Sequence, residues 1–103
     1  MHTIIVLFNL QPTASITDYE AWARANDLPT VQSLPSVHNF SILKTTGILG
    51  TSNPAPYQYC ELIQVPNMEA FFADLSLAHV KAGAKAFNEF ALNPIFITAN
   101  TLQ

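Results

Sequence analysis

The sequence predicts an α+β fold, in which helices cover one face of a four-stranded antiparallel sheet. Two observations lead to this prediction: short runs rich in β-branched and aromatic residues, and helical spacing of apolar residues between them, in the order β, α, β, β, α, α, β. Right-handed connections around a central hairpin fold this order into a ferredoxin-like topology. The length of 103 residues suits one such domain, spanning 1–103.

The first strand and helix have the clearest local signals. Residues 2–10 (HTIIVLFNL) are apolar on both faces, which predicts a central strand that is buried on both sides. Thr17 and Glu20 have the spacing of a capping box and predict a helix over 17–25. Pro29 makes a straight continuation of this helix unfavourable, so we expect a looser helical extension to follow.

The rest of the chain alternates between strand and helix signals, with breakers between them. Asn67 is suited to cap a helix, while Asn93 and Pro94 are expected to end one. The remaining predicted elements are a strand over 37–44, a loop over 45–56, a strand over 57–65, a helix over 68–75, a helix over 77–91 and a strand over 95–101.

One sheet face has no helix to cover it. Since the first strand is apolar on both sides, we expect the same face of a second copy to cover it, which predicts a homodimer. The composition agrees, because 50% of the residues are hydrophobic and only 11% are charged. A monomer of this composition would expose much apolar surface.

Composition and motifs exclude several classes of function. The net charge is −3 and the four basic residues are scattered, so a nucleic-acid partner is not expected. No apolar stretch is long enough to span a membrane, and the lone Cys60 cannot form an intrachain disulfide, so we expect a cytoplasmic protein. Phosphate loops, dinucleotide fingerprints and metal-ligand spacings are missing from the sequence, and we expect neither a cofactor nor a metal.

The assembled segments resemble the dimeric α/β barrel superfamily, and within it the stress-responsive A/B barrel group with its plant polyketide cyclases. The segment LAHVKAGAKAF is similar to the segment around the catalytic histidine of the olivetolic acid cyclase type, which implies that His79 is a base. HTIIVLF is similar to a first strand that opens with a pocket histidine, here His2. Two positions differ: Ala73 stands where that cyclase has a catalytic tyrosine, and Tyr59 replaces a pocket histidine. The same reaction is therefore not implied.

The whole chain looks closer to the RedY-like family of prodigiosin-type pigment pathways. This resemblance implies a role in making or tailoring pyrrole or indole pigments, without fixing the step. The implied ligand is a small aromatic or pyrrolic metabolite. Three hypotheses follow: a cofactor-free enzyme for cyclisation, condensation or dehydration, a cofactor-independent monooxygenase, and a non-catalytic binder or carrier.

Three residues are predicted to be catalytic. His79 is either a base or a helix-start histidine that bonds a nearby backbone group. Tyr59 and Glu61 share one strand face; if that face is inward, Tyr59 can donate a hydroxyl and Glu61 is either an acid or base with a raised pKa or a group neutralised by a partner. The other register turns Cys60 and Leu62 inward instead.

Five more residues are predicted to bind substrate. His2 shares a strand face with the core, and Tyr57 lies on the same side as Glu61. Trp22, Phe72 and Phe87 line a cavity or pack as core between helices and sheet, and the sequence leaves both uses open. The 45–56 loop is a possible cover for the entrance.

Overall fold

The computed structural model describes residues 1–103. Its elements are, in order, β1 (His2–Leu10), α1 (Ile16–Trp22), a π-helical turn (Ala23–Asp27), α2 (Leu28–Gln32), β2 (Asn39–Lys44), β3 (Tyr59–Val65), α3 (Met68–Leu75), α4 (Ala78–Phe90) and β4 (Ala91–Asn100). The four strands form one sheet in the order β2-β3-β1-β4, and every neighbouring pair is antiparallel. This confirms the predicted α+β, ferredoxin-like fold.

The helix-covered face of the sheet carries the core. On β1, Ile4, Val6, Phe8 and Leu10 are all buried. Phe8 lies at the centre of an aromatic cluster, in which its ring stacks on Tyr59 and meets other rings edge-on. Edge-to-face and offset-stacked rings are the favoured aromatic arrangements, so this cluster stabilises the contact between helices and sheet.

No element of this chain covers the opposite face of the sheet. Cross-strand pairing places a continuous apolar surface there, which we call the open face: Ile5, Leu7, Leu43, Leu62, Ile95 and Ile97. Leu43 is 48% exposed, Ile95 43% and Ile97 40%, although each is an apolar residue in a strand. The prediction that β1 is a central strand is therefore confirmed, but in the single chain only its helix-covered face is fully buried, and Ile5 and Leu7 on the open face are partly exposed.

The first helix begins earlier than the sequence predicted. Ser15, in an extended conformation, is the N-cap, and its side-chain oxygen accepts a hydrogen bond from the backbone N–H of Asp18 at 3.2 Å. The predicted capping box at Thr17 and Glu20 was wrong, because Thr17 already lies within the helix.

A π-helical turn links α1 to α2 and explains how the chain passes Pro29. Proline has no N–H to bond the carbonyl four residues back, and its ring crowds that carbonyl. The helix widens just before this point, where the N–H of Leu28 bonds the carbonyl of Ala23, five residues back. The predicted looser extension is confirmed, and the widening changes the directions of the side chains at its end, including Asp27.

The later elements follow the prediction with two corrections. Asn67 caps α3 as expected, accepting a hydrogen bond from the N–H of Ala70 at 3.1 Å. Asn93 and Pro94 do not end α4, because the helix stops at Phe90 and both residues lie within β4. Asn93 has a positive φ of 46°, next to a register shift between β1 and β4. The edge strand tolerates Pro94 because an edge residue can direct its missing N–H away from the ladder.

The second and third strands each begin two residues later than predicted, and the segment between β2 and β3 is an irregular loop. Helices of this chain are all too short or too polar to cross a lipid bilayer.

Candidate active site

A cavity of about 210 Å³ lies between the helices and the covered face of the sheet. Its walls are mainly apolar and include four aromatic rings: Trp22, Phe71, Phe87 and Phe96. The lining contains no lysine, arginine or histidine. Its charged residues are both acids, Asp27 and Glu61. Since an apolar cavity with a few convergent polar groups is typical of a small-molecule site, this cavity is the candidate active site.

Glu61 is held in the cavity wall by the sheet. It lies in the middle of β3, where it pairs with Val6 of β1 and Ile42 of β2. Only 5% of its surface is exposed, and no basic side chain forms an ion pair with it. Burial of an unpaired carboxylate is costly, so this position favours the protonated acid.

Asp27 reaches the same cavity from the opposite layer. It is the last residue of the π-helical turn. Its carboxyl group is near enough to that of Glu61 for the two groups to interact, and each affects the pKa of the other. We call Asp27 and Glu61 the carboxyl pair.

Burial and mutual interaction shift both pKa values upward. For Glu61, burial is the main cause, and the charge and hydrogen bond of Asp27 add to it, raising the pKa to about 8. For Asp27, burial raises the pKa to about 6, although the hydrogen bond from Glu61 opposes the rise. Both shifts favour the protonated forms of the two acids, and because the groups interact, they titrate as a pair.

No other group of the fold bonds the buried oxygens of the carboxyl pair. Asp27 Oδ2 and Glu61 Oε2 are buried, and neither accepts a hydrogen bond from any N–H or O–H group of the fold. The hydroxyl group of Tyr19, a fully buried residue of α1, also lacks a partner. Burial raises the pKa of Tyr19 strongly, and the negative charges of Glu61 and Asp27 raise it further, so this phenol stays neutral beside the pair.

Three of the eight predicted site residues line the cavity: Trp22, Glu61 and Phe87. Of the two registers that the sequence left open for β3, the structure has the one in which Tyr59 and Glu61 are buried under the helices. Trp22 and Phe87 also pack in or against the core. The sequence left open whether they line a cavity or pack as core, and in the structure they do both.

The other predicted residues lie outside the cavity. His79 is exposed on the first turn of α4, while its neighbour Val80 faces the cavity. Phe72 is 61% exposed and Phe71 takes the inward position on α3. His2, Tyr57 and Tyr59 are also absent from the lining, and so are all residues of the predicted 45–56 loop.

Tyr59 belongs to a separate polar cluster. Its hydroxyl donates a hydrogen bond to Glu20 Oε2 at 2.6 Å, and the ammonium of Lys44 lies 2.7 Å from the same oxygen. Hydrogen bonds from Lys44 and then Tyr59 hold the pKa of Glu20 below its usual value. Burial and the hydrogen bond to Glu20 raise the pKa of the Tyr59 phenol, so this hydroxyl keeps its proton and donates it in the bond to Glu20.

Sequence reasoning missed Asp27. Tyr19 and Ala23, four residues apart, lie on the buried stripe of the first helix, and one further step of four residues leads to Asp27. The available signal for Asp27 was an acid on the buried stripe of a helix. This helix faces a strand that carries a second inward acid.

Metal binding has little support in this arrangement, since no three His, Cys, Asp or Glu side chains are grouped to hold an ion. The carboxyl pair offers two groups that can exchange protons with a ligand in the cavity.

The fold and the cavity define a ferredoxin-like α+β domain with an apolar cavity between sheet and helices. A family model described as REDY-like protein HapK matches residues 2–102. The chain belongs to this family, which confirms the family resemblance that the sequence indicated.

Solved structures agree with this assignment. HapK from Hahella chejuensis is 29% identical, with 99% of this chain and 93% of that chain covered and a TM-score of 0.78. A protein from Arabidopsis thaliana is 13% identical. Its match covers 100% of this chain and 97% of that chain, with a TM-score of 0.82. SnoaB, a cofactor-independent oxygenase from Streptomyces nogalater, is 13% identical over 99% of this chain and 93% of its own, with a TM-score of 0.76. A search of curated proteins found no significant match.

Proposed function

We propose that this protein is a cofactor-free member of a secondary-metabolite pathway of the prodigiosin type, where it promotes cyclisation, condensation or dehydration of an aromatic or pyrrolic intermediate. The observation that carries the proposal is the carboxyl pair, Asp27 and Glu61: two acids with raised pKa values on the wall of an apolar cavity that no basic residue lines. Membership of the REDY-like HapK family supports the biosynthetic setting.

The pair supplies both an acid and a base. The Asp27 carboxylate accepts a proton from the reacting carbon or nitrogen, and Glu61 donates its proton to the departing hydroxyl group, which leaves as water. Asp27 is then protonated and Glu61 ionised, and proton transfer between the two groups restores the starting state. The pKa values of about 6 and about 8 lie on either side of neutral pH, as this exchange requires.

The remaining predicted site residues have roles that follow from their positions. Trp22 and Phe87 are proposed to hold the ring of the intermediate against the pair. The catalytic roles of His79 and Tyr59, and the binding roles of His2, Tyr57 and Phe72, stay predictions, because none of these side chains reaches the cavity in the single chain.

We further propose that the protein is a homodimer that buries the open face of its sheet. The exposure of Leu43, Ile95 and Ile97 supports this assembly, because burial of such a face contributes about 25 cal/mol per Å² of apolar surface. Structures described as dimeric ferredoxin-like proteins share the fold, at 12% and 16% identity. The single Cys60, a free thiol, fits a reducing cytoplasmic setting.

Condensation of pyrrole-2-carbaldehyde with an α-unsubstituted pyrrole tests the proposal, because it forms a coloured dipyrromethene with loss of water. We expect the parent protein to accelerate this reaction, and Glu61→Gln and Asp27→Asn each to lower the rate by about 100-fold or more. Glu89→Gln, the same change at an exposed carboxylate of α4, should leave the rate unchanged.

Two results would redirect the assignment. Full activity in both pair variants together with loss in His79→Ala would assign the base to His79 and reject the pair. Saturable binding of the pyrroles with no product from any variant would favour the carrier hypothesis, and oxygen consumption during turnover would favour the monooxygenase hypothesis.

A further inference from the structure

Gly83 lies in the middle of α4, where neither the backbone conformation nor close packing requires a glycine. The other two glycines, Gly47 and Gly50, have positive φ values of 146° and 77°, whereas Gly83 is an ordinary helical residue. Apart from the adjacent backbone of α4, no atom lies within 4 Å of the position that a Cβ would occupy at Gly83. Because glycine is less favourable than alanine inside a helix, this residue lowers the stability of α4.

The free space beside Gly83 belongs to the cavity. Gly83 is half-buried and lines the cavity wall. It lies three residues after Val80 and four before Phe87, and both of these buried residues line the same wall. Residues three and four apart on a helix are neighbours on its surface. A larger side chain at position 83 would therefore enter the cavity between Val80 and Phe87.

The same part of α4 also lies where the cavity meets solvent. Two lining residues of this helix are exposed: Ala84, which follows Gly83, and Asn88, one turn further along. Position 83 is therefore close to the mouth of the cavity, where the size of a side chain limits both access and room.

We propose that Gly83 sets the size limit for ligands of this cavity, because a bound molecule lies against the α4 backbone in space that any other residue would fill. This inference rests on the proposed function, since it uses the same cavity as the ligand site. An apolar cavity of about 150 Å³ accommodates benzene, so a cavity of about 210 Å³ has room for a larger hydrocarbon as long as position 83 has no side chain.

Benzene and naphthalene are suitable probes, because they differ in size and neither forms conventional hydrogen bonds. We expect NMR titration of the full chain to show that the parent binds both. Gly83→Ala should still bind benzene, but it should bind naphthalene about 10-fold more weakly or worse, because extra atoms in a filled space force unfavourable contacts. Gly83→Leu should bind neither hydrocarbon.

Urea unfolding separates this role from a structural one. Gly83→Ala should raise the midpoint of unfolding, because alanine favours the helix, while the affinity for naphthalene falls. A purely structural role would lower both together. Ala82→Leu is the matched control, since it adds the same side chain as Gly83→Leu at an adjacent, exposed residue outside the lining, and it should bind both probes as the parent does.

Three results would overturn the inference: a parent that binds neither hydrocarbon, a Gly83→Leu variant that binds naphthalene as tightly as the parent, or a Gly83→Ala variant that is less stable than the parent. If Gly83→Leu does not fold, Gly83→Ala decides alone. The two proposals fail separately. Unchanged naphthalene binding in Gly83→Leu with pair-dependent turnover of the pyrroles would reject this inference alone, and loss of that binding without turnover by the parent would reject only the proposed function.

Discussion

The carboxyl groups of Glu61 and Asp27 meet on the wall of one apolar cavity, although the two residues come from opposite layers of the fold. Glu61 lies in the middle of a strand, and Asp27 is the last residue of the π-helical turn before Pro29. Burial of these two acids lowers the stability of the fold, and neither acid forms an ion pair. Acids with shifted pKa values in a cavity are typical of a functional site.

The carboxyl pair predicts how stability depends on pH. Both pKa values are raised in the folded chain, so folding favours the protonated acids, and this contribution is lost as the pH rises from the unfolded values of 4.5 and 3.8 through about 8 for Glu61 and about 6 for Asp27. We expect the free energy of unfolding to fall between about pH 5 and 8, by at most about 1.4 kcal/mol per pH unit for each proton.

Urea unfolding at several pH values measures this slope. Glu61→Gln removes one of the two titrating groups and should flatten the curve above about pH 6, while Glu89→Gln should follow the parent. A parent protein whose stability rises across this range would contradict the proposed burial of the pair.

The N-cap of the first helix gives a second prediction. Ser15→Ala removes the side-chain acceptor for the N–H of Asp18 and should lower the free energy of unfolding by about 1 kcal/mol. Thr17→Ala, inside the helix, should change it by less than about 0.5 kcal/mol. Chemical denaturation of both variants decides between the two capping positions, and a larger loss for Thr17→Ala would restore the position that the sequence first suggested.

Two phenylalanines that the sequence treated alike should behave differently. Phe87 is buried against Phe8 with ring centroids 4.9 Å apart, so Phe87→Ala should cost about 3–5 kcal/mol of stability. Phe72 is 61% exposed, and Phe72→Ala should cost less than about 1 kcal/mol. Thermal unfolding of the two variants tests this contrast, and equal losses would show that Phe72 is covered by something outside the single chain.

The open face predicts the effect of a new charge on assembly. Ile97→Lys places an ammonium on this face at a position that is 40% exposed in the single chain, so the chain should fold and the dimer should dissociate. Thr98→Lys puts the same charge on the neighbouring, exposed residue of the other face and should leave the dimer intact. Sedimentation velocity distinguishes the two, and a monomeric parent would reject the dimer.

The sequence was sufficient for the elements whose signals are local and periodic. Alternation along β1 and β3 grouped the residues that share a face, but it left open which face of β3 is inward, and the structure buries Tyr59 and Glu61. Asn93 and Pro94 were wrongly predicted to end a helix because both residues are common in turns. They are tolerated within β4 because β4 is an edge strand, and the position of a strand in the sheet cannot be read from the local sequence.

The cavity depended on side-chain direction, which the sequence specifies less well. His79 and Val80 are adjacent at the start of α4, and only Val80 faces inward. Asp27 was missed although it lies four residues after Ala23 on the stripe of the first helix that faces the sheet, because an acid is rarely found at such an inward position.

A ¹³C NMR titration of the Asp27 and Glu61 side-chain carboxyl groups tests the central claim most directly. We expect the pair to titrate in two steps, near 6 and near 8, with the upper step mainly at Glu61, and we expect Asp27→Asn to lower the pKa of Glu61 because it removes a neighbouring charge. Titration of both groups below about pH 5, unchanged by Asp27→Asn, would contradict the account, because the two carboxyl groups would then be separate, ionised and exposed to water.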